Sequence, residues 1–381
     1  MSKHLVLVGG GHAHLTAIKN LSVFTRAGHN VTLISASPFH YYSGMGPGML
    51  SGTYHPSQVR FHVRKMAEDR GASFVEDKVV KIDPVRHVLF LQSGSAVIYD
   101  VVSFNTGSEV PVASIADAEQ DNIVPVKPVV NLLKARQTIL ESIRKGETWK
   151  YAVIGGGPAG LEICANLWRL LYANRGKGTI KLIAGEKLMP GAPEKVRRLA
   201  LSSLAGRGVE IIEGSFVKSI KQNGVALTDG RTLEFDLAFA AIGIRPARLF
   251  AESGLPTGAD GGLLVNAHLR SVAHNDIFGG GDCVSLQGKP LAKVGVYAVR
   301  ENPILFHNLQ AALDGGEMMT FKPQPHYLLI FNMGNGRGIF WKKDWVWDGR
   351  LAFVLKDYID NRFMRMFQVS GEREDKPEVT E

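Results

Sequence analysis

Two cysteines are all that the 381-residue chain carries, Cys164 and Cys283. They lie far apart and form no CxxC, so a disulfide framework cannot be what organises the fold. No apolar run approaches the ~18 residues needed to span a bilayer. Low-complexity tracts are also lacking, and the composition is that of an ordinary globular chain, 45% hydrophobic. The opening MSKHLVLVGGG lacks the shape of a signal peptide, because its short apolar run ends in glycines where a cleavage region would be. The expected location is therefore cytoplasmic. Acids are the scarcer charge, 36 against 44 Lys and Arg, for a net charge of +8. The closing GEREDKPEVTE holds five acids and two bases, so the chain before it is more basic still. A basic body attracts nucleic acid, anionic cofactors or acidic lipid. The length exceeds one compact core, so two domains plus an extension are expected.

Glycine is abundant, with 42 residues, and its placement is informative. Gly9 and Gly11 follow an apolar β run at His4 to Val8 and precede a helix predicted over Ala13 to Ala27 and a strand over Asn30 to Ser35. The same order recurs with Tyr151 to Ile154, then Gly155, Gly157 and Gly160, a helix over Leu161 to Ala173, and a strand over Thr179 to Ala184. Each copy then carries a hairpin-like region, Ser73 to Gln92 and Phe216 to Leu233, the second with an Asp229-Gly230 turn. Each ends in a matching strand, YDVVSFNTG from Tyr99 to Gly107 and FDLAFAAIG from Phe235 to Gly243. One GxGxxG alone is weak; two in matching contexts predict an α/β chain with two Rossmann-like dinucleotide-binding domains and a C-terminal amphipathic extension. Val110 to Pro128 reads as a linker.

In such a turn the first glycine permits the bend, the second lets the backbone approach a pyrophosphate, and the third lets helix and strand pack closely. The first copy has His14 at the third position. Backbone N–H groups supply most of the anion site, so phosphate binding survives and the packing must differ. His14 is either a packed histidine or a residue beside the cofactor. His12 and His14 form HxH, but a metal site would need further ligands. Strand two usually ends in an acid that binds ribose hydroxyls; here it ends in Ser35 and in Ala184, with Glu186 and Lys187 following, so NADH is not separated from NADPH. In GGGD, Gly279 to Asp282, the aspartate either accepts from a sugar-alcohol hydroxyl or caps a helix.

GGGHAH, TGS at Thr106, GGGPAGLE from Gly155 to Glu162, AIGIRP from Ala241 and LRSVAHNDIFGGGDC from Leu269 together resemble the FAD-dependent pyridine-nucleotide oxidoreductases, near the type II NADH dehydrogenases. GGGHAHL, SGMGPGML, VKPV and KVGVYAVRENP also resemble the flavoprotein module fused to some selenide water dikinases. The resemblance covers about residues 4 to 368. It implies an FAD domain in two segments, 1–110 and 245–316, an inserted NAD(P)H domain at 111–244, and a C-terminal acceptor or membrane-surface region at 317–381. Gly9, Gly11, His12, His14, Ser35, Thr106, Gly107, Gly281 and Asp282 are the implied FAD-side residues. Gly155, Gly157 and Gly160 are those for NAD(P)H. Glu162 would lie near the nicotinamide–flavin stack. Lys293 and the helix start after it would stabilise the reduced flavin. No metal is implied.

Arg300-Glu301 stands where the dehydrogenase branch pairs glutamines before its quinone site. The cysteines do not match the disulfide-reductase or sulfide:quinone patterns. The expected activity is hydride transfer from NAD(P)H to FAD and electron transfer to a quinone-like acceptor. The alternatives are sulfide:quinone-type chemistry and a flavoprotein module of selenium metabolism, and the second glycine motif could be a relic. In the last region, apolar residues at 351, 354, 355, 358, 359, 363 and 366 fall at helical spacing, with Lys356, Asp357, Asp360, Asn361 and Arg365 opposite. Two readings stay open, a peripheral helix at the inner face of the cell membrane and a packing or homodimer face. On the first reading, a chain ending at Gly338 should stay folded with its FAD. No nucleic-acid module is visible.

Overall fold

Each glycine motif opens a five-stranded, fully parallel sheet, and the two sheets repeat one order of four strands, with the fifth, edge strand drawn from later in the chain in the first and from earlier in the second. The computed structural model describes residues 1–115, 121–221 and 224–372. In the first sheet the order is Ile277–Gly279, Val101–Phe104, His4–Val8, Asn30–Ser35 and Ser73–Glu76. In the second it is Ile123–Pro125, Leu237–Ala240, Thr148–Ile154, Lys177–Ile183 and Glu210–Ile212. The two matching strands thus lie at the same place, each beside the strand that feeds its glycine turn. Both central strands end in a fully buried apolar run, Leu5 to Val8 and Tyr151 to Ile154, as parallel strands covered on both faces require. The hairpin-like regions are three-stranded antiparallel meanders, 79–98 and 217–234.

Three expectations are corrected. Val110 to Pro128 is more than a linker: Ile123–Pro125 pairs with Leu237–Ala240 as the edge strand, where a proline that cannot donate to a ladder is tolerated. The part of that segment at 116–120 lies outside the described residues. The first helix is not continuous. It starts as a 3-10 turn, His12–His14, runs as Leu15–Lys19, and resumes as Leu21–Arg26. It breaks at Asn20, whose side chain donates to the Thr16 carbonyl at 2.8 Å and competes with the helix ladder.

The third correction concerns the C-terminal region, which is not an appendage. Leu329–Asn332, Gly338–Lys342 and Trp345–Gly349 form an antiparallel sheet that leads into the helix Arg350–Phe367. Asn332 N–H donates to Glu162 Oε1 at 2.7 Å, and Asn166 Nδ2 donates to the Asn332 carbonyl at 3.2 Å. A chain ending at Gly338 would keep Asn332 but lose the strands that complete this sheet and the helix whose Lys356, Asp357 and Asp360 bond to Gly44, Tyr54 and Tyr42. Those contacts run into the first domain, so the region is built into the fold rather than added to it.

The helix face is also reversed. Lys356 and Asp360 are buried, whereas Leu351, Val354, Tyr358 and Met366 are 48–75% exposed, with Trp345 at 74% just before them. Only Phe363 of the stripe turns inward to meet other rings, with its centroid 5.0 Å from Tyr42. Periodicity assigns the apolar side to the core. Here the inner side carries Ala352, Met364 and Phe367 with a satisfied ion pair among them, Lys356 Nζ lying 2.8 Å from Asp360 and 2.8 Å from the Gly44 carbonyl. Among the described residues no helix is long and apolar enough to cross a membrane.

Candidate functional site

A continuous cleft of about 1450 Å³ connects the two glycine turns. Gly9, Gly11, His12, Ser35, Thr106, Gly107 and Asp282 line one part of it; Gly155, Gly157 and Glu162 line another, and Lys293 borders it as well. Gly9 and Gly155 both adopt positive φ, +90° and +127°, and a Cβ on either would overlap a carbonyl at the end of the neighbouring strand, Asn105 or Ala241. Gly157 is different, since an added Cβ would meet nothing within 4 Å. It is the N-cap of Pro158–Ala173, which has no side-chain cap and Pro158 in its first turn. The helix's N–H groups are thus available to an anion in the open space beside Gly157.

The third position shows how the copies diverge. A Cβ at Gly160 would overlap the Gly155 carbonyl, so helix and turn are in direct contact. In the first copy the short 3-10 turn makes room for a ring. His14 Nδ1–H donates to the equivalent carbonyl, Gly9 O, at 2.7 Å, and Nε2 accepts from Ser103 Oγ at 2.8 Å. The ring is fully buried, and burial brings its pKa down to about 4. His14 does not line the cleft, so its expected place beside FAD is corrected: protein partners occupy both nitrogens. The HxH rings diverge, for His12 does line the cleft and lies 3.3 Å from His40. His14→Ala should leave FAD bound and cost about 1–3 kcal/mol through the stranded Ser103 hydroxyl and Gly9 carbonyl. Thermal melts read beside the flavin absorbance check this.

Asn105 joins the parts of the first site, and sequence reading missed it. Its Oδ1 accepts from Ala13 N–H at 3.0 Å, and its Nδ2 donates to the Gly280 carbonyl at 2.6 Å. Side chains at Gly11 or Gly281 would collide with it. Gly11 is therefore fixed by Asn105 as well as by any pyrophosphate. The available signal was the mismatch between the paired strands, Asn105 against Ala241. Asp282 sits inside the 3-10 turn Gly281–Cys283, which removes the N-cap reading. Its carboxylate accepts from Lys127 Nζ at 2.6 Å and Ser108 Oγ at 2.8 Å. Lys127 was also missed, being 155 residues away in sequence. Lys293 donates to the Val284 carbonyl and pairs with Asp260 at 2.7 Å. The twenty-residue helix Gly295–Asp314 begins beside it, and Gly295 and Ala298 reach the cleft.

Two carboxyls flank this arrangement, Glu162 half-buried and Glu301 buried. Burial raises Glu162 to about 7, opposed by Lys356 and by the Asn332 N–H. Burial likewise raises Glu301 to about 7, opposed by the Gly281 N–H that it accepts at 2.6 Å. Both start from 4.5 when unfolded. A raised folded pKa gives a contribution present below 4.5 and lost as pH rises through 7. Glu301→Gln, neutral throughout, should therefore gain stability relative to wild type between pH 5 and 8, as paired melts would show. Both cysteines are buried thiols; burial lifts Cys283 to about 11 and Cys164 further.

Two glycine-turn sheets opening on one cleft define a two-nucleotide oxidoreductase. The pyridine nucleotide-disulphide oxidoreductase family matches residues 3–307, and the chain belongs to it. Its reaction class pairs FAD with NAD(P)H. The chain is 24% identical over 361 residues to the alternative NAD(P)H-ubiquinone oxidoreductase C1 of Arabidopsis thaliana, covering 84% of this chain and 69% of the relative. It is 23% identical to the type II NADH:quinone oxidoreductase of Staphylococcus epidermidis, covering 94% of each. The solved structure of NDH2 from Plasmodium falciparum with NADH superposes with a TM-score of 0.82 at 14% identity, covering 98% of each chain.

Proposed function

We propose that this protein passes a hydride from NAD(P)H to FAD and electrons on to a quinone-like acceptor. The carrying observation is the single cleft that holds both glycine turns, with half-buried Glu162 on its wall. The residues fit FAD: a positive-φ turn at Gly9, hydroxyls at Ser35, Thr106 and Ser108, and Asp282 oriented by Lys127. When bound, FAD supplies the two-electron chemistry; the protein supplies alignment and charge. On this reading 1–110 and 245–316 hold FAD, 111–244 hold NAD(P)H, and 317–381 face the acceptor. Gly157 and the helix start behind it hold the nicotinamide cofactor's phosphates. Glu162, carried on the same helix, sits where the stacked rings would meet. Lys293 and the start of Gly295–Asp314 put positive potential at the other part of the cleft. Both thiols are buried, which supports a nicotinamide over sulfide as the donor.

The exposed stripe of the last helix suits a bilayer surface, with Trp345, Leu351, Val354, Tyr358 and Met366 outward beside Arg362 and Arg365. Val354→Asp with Tyr358→Asp should cut co-sedimentation with anionic vesicles at low salt several-fold, without loss of FAD. Undiminished sedimentation would assign binding elsewhere.

Anaerobic mixing of the purified flavoprotein with NADH, NADPH or sulfide tests the reaction. Bleaching of the visible flavin band by a nicotinamide cofactor, reversed by ubiquinone-1, is the expected result. A flavin that neither nicotinamide bleaches would overturn it.

A further inference from the structure

Quinone reduction by NAD(P)H consumes a proton that the hydride does not bring. NAD(P)H, one proton and a quinone give NAD(P)⁺ and a quinol. The hydride carries two electrons and one hydrogen, so one quinol oxygen must receive a proton from another group.

His12 has the placement for that task. Its side chain lines the cleft and is 8% exposed, yet Nε2 has no hydrogen-bond partner in the protein. A buried nitrogen left unmatched costs about 1–3 kcal/mol. The atom itself is covered, so a small shift of the ring at the cleft wall is what brings it to an acceptor there, and that contact recovers the cost. The other nitrogen, Nδ1, lies 3.3 Å from His40 Nε2, and His40 also lines the cleft. The two rings meet edge-on with centroids 4.9 Å apart, and Tyr42 and Phe363 pack on His12 at 5.2 and 5.9 Å. The ring is thus fixed from several sides with one nitrogen free.

We propose that His12 Nε2 donates the proton to the quinone-like acceptor and that His40 positions and reloads it. This rests on the quinone-reducing reading above. With His40 Nε2–H donating to His12 Nδ1, His12 carries its own proton on Nε2. The acceptor oxygen takes that proton as the electrons arrive. His12 takes the His40 proton at Nδ1, and His40 takes one from water at its other nitrogen. Each ring breaks one N–H bond and forms one, so neither becomes a cation; both end in the opposite tautomer, and proton exchange with water after the quinol leaves returns the proton to His12 Nε2 before the next turnover. That neutrality suits the site: burial lowers both imidazoles, and nearby Lys127 lowers them further.

The test reduces the holoenzyme with one equivalent of NADH and follows flavin reoxidation by ubiquinone-1 or by ferricyanide, which takes electrons without a proton. In His12→Phe the ratio of ubiquinone-1 to ferricyanide rates should fall about 10²-fold, the usual scale of general acid catalysis. His40→Phe should lower it less. Separately, in oxidised protein with ¹⁵N-labelled histidine, ubiquinone-1 should shift the His12 Nε2 resonance and leave that of buried His14 in place. If His12→Phe loses FAD, His12→Gln, which keeps a donor but cannot relay, carries the same rate comparison. An unchanged ratio, or an unmoved His12 resonance, overturns the assignment. If ubiquinone-1 fails to reoxidise the wild-type flavin, the quinone reading falls and this proposal with it. If it reoxidises wild type and His12→Phe alike, only this proposal falls.

Discussion

Gly157→Val is expected to abolish reduction of the flavin by NAD(P)H while the protein stays folded and yellow. Gly157 has ordinary extended backbone, φ −79° and ψ −176°, so a β-branched residue meets no conformational penalty. Its added atoms enter the cleft and touch no protein atom within 4 Å of the Cβ. That open space adjoins the uncapped start of a sixteen-residue helix. A valine there keeps a pyrophosphate from the N–H groups and displaces the nicotinamide from the flavin. Misplacement by 1 Å alone costs roughly 10²-fold in rate, and exclusion costs more. Stopped-flow reduction of the flavin by NADH and NADPH measures this. Unchanged kinetics would make the second nucleotide turn a relic. Gly155→Val is the contrast. At φ +127° and against the Ala241 carbonyl, its side chain should disrupt the second domain itself.

Lys356→Met should destabilise the folded protein by about 3–5 kcal/mol, the usual result of stripping one partner from a buried pair. Lys356 and Asp360 are 8% and 4% exposed, and Tyr42 also donates to Asp360 at 3.0 Å. Without the ammonium, Asp360 becomes an unpaired buried carboxylate. The Gly44 carbonyl loses its donor, and Glu162 loses the cation that opposes its raised pKa. Chemical denaturation of the holoprotein gives the free energy. Adding Asp360→Leu should recover part of the loss, because two apolar side chains need no partner. A loss below about 1 kcal/mol for Lys356→Met would mean water reaches this pair, and the inward face of the helix would need reassessment.

These two positions differ in how far the linear sequence reveals them. Gly157 announces itself. A glycine turn between an apolar strand and a helix is local, written within a few residues, and each residue type has a short-range steric reason. Lys356 conceals its role, because on helical spacing it belongs to the solvent face. Only Gly44 and Tyr42, more than 300 residues earlier, make it a buried residue. The same distinction separates Gly9 from Asn105. Positive φ makes the glycine legible, whereas the amide matters only once strand, turn and GGGD loop converge.

By itself the sequence determined the two α/β units, the repeated run of strand, glycine turn, helix and strand along the chain, and the positions of the glycine turns. Apolar periodicity and glycine sterics act over neighbouring residues, and a repeated motif doubles the signal. Only the tertiary structure decided that His14 replaces a glycine contact with two hydrogen bonds and that Lys127 orients Asp282. It alone brought His12 beside His40 and turned the last helix with its ion pair inward and its apolar stripe outward. Those outcomes depend on whether a buried polar atom finds its partner: His14–Gly9 and Lys356–Asp360 are local pairs, but the partners that complete them, Ser103 and Gly44, lie 89 and 312 residues away, beyond the reach of any local pattern.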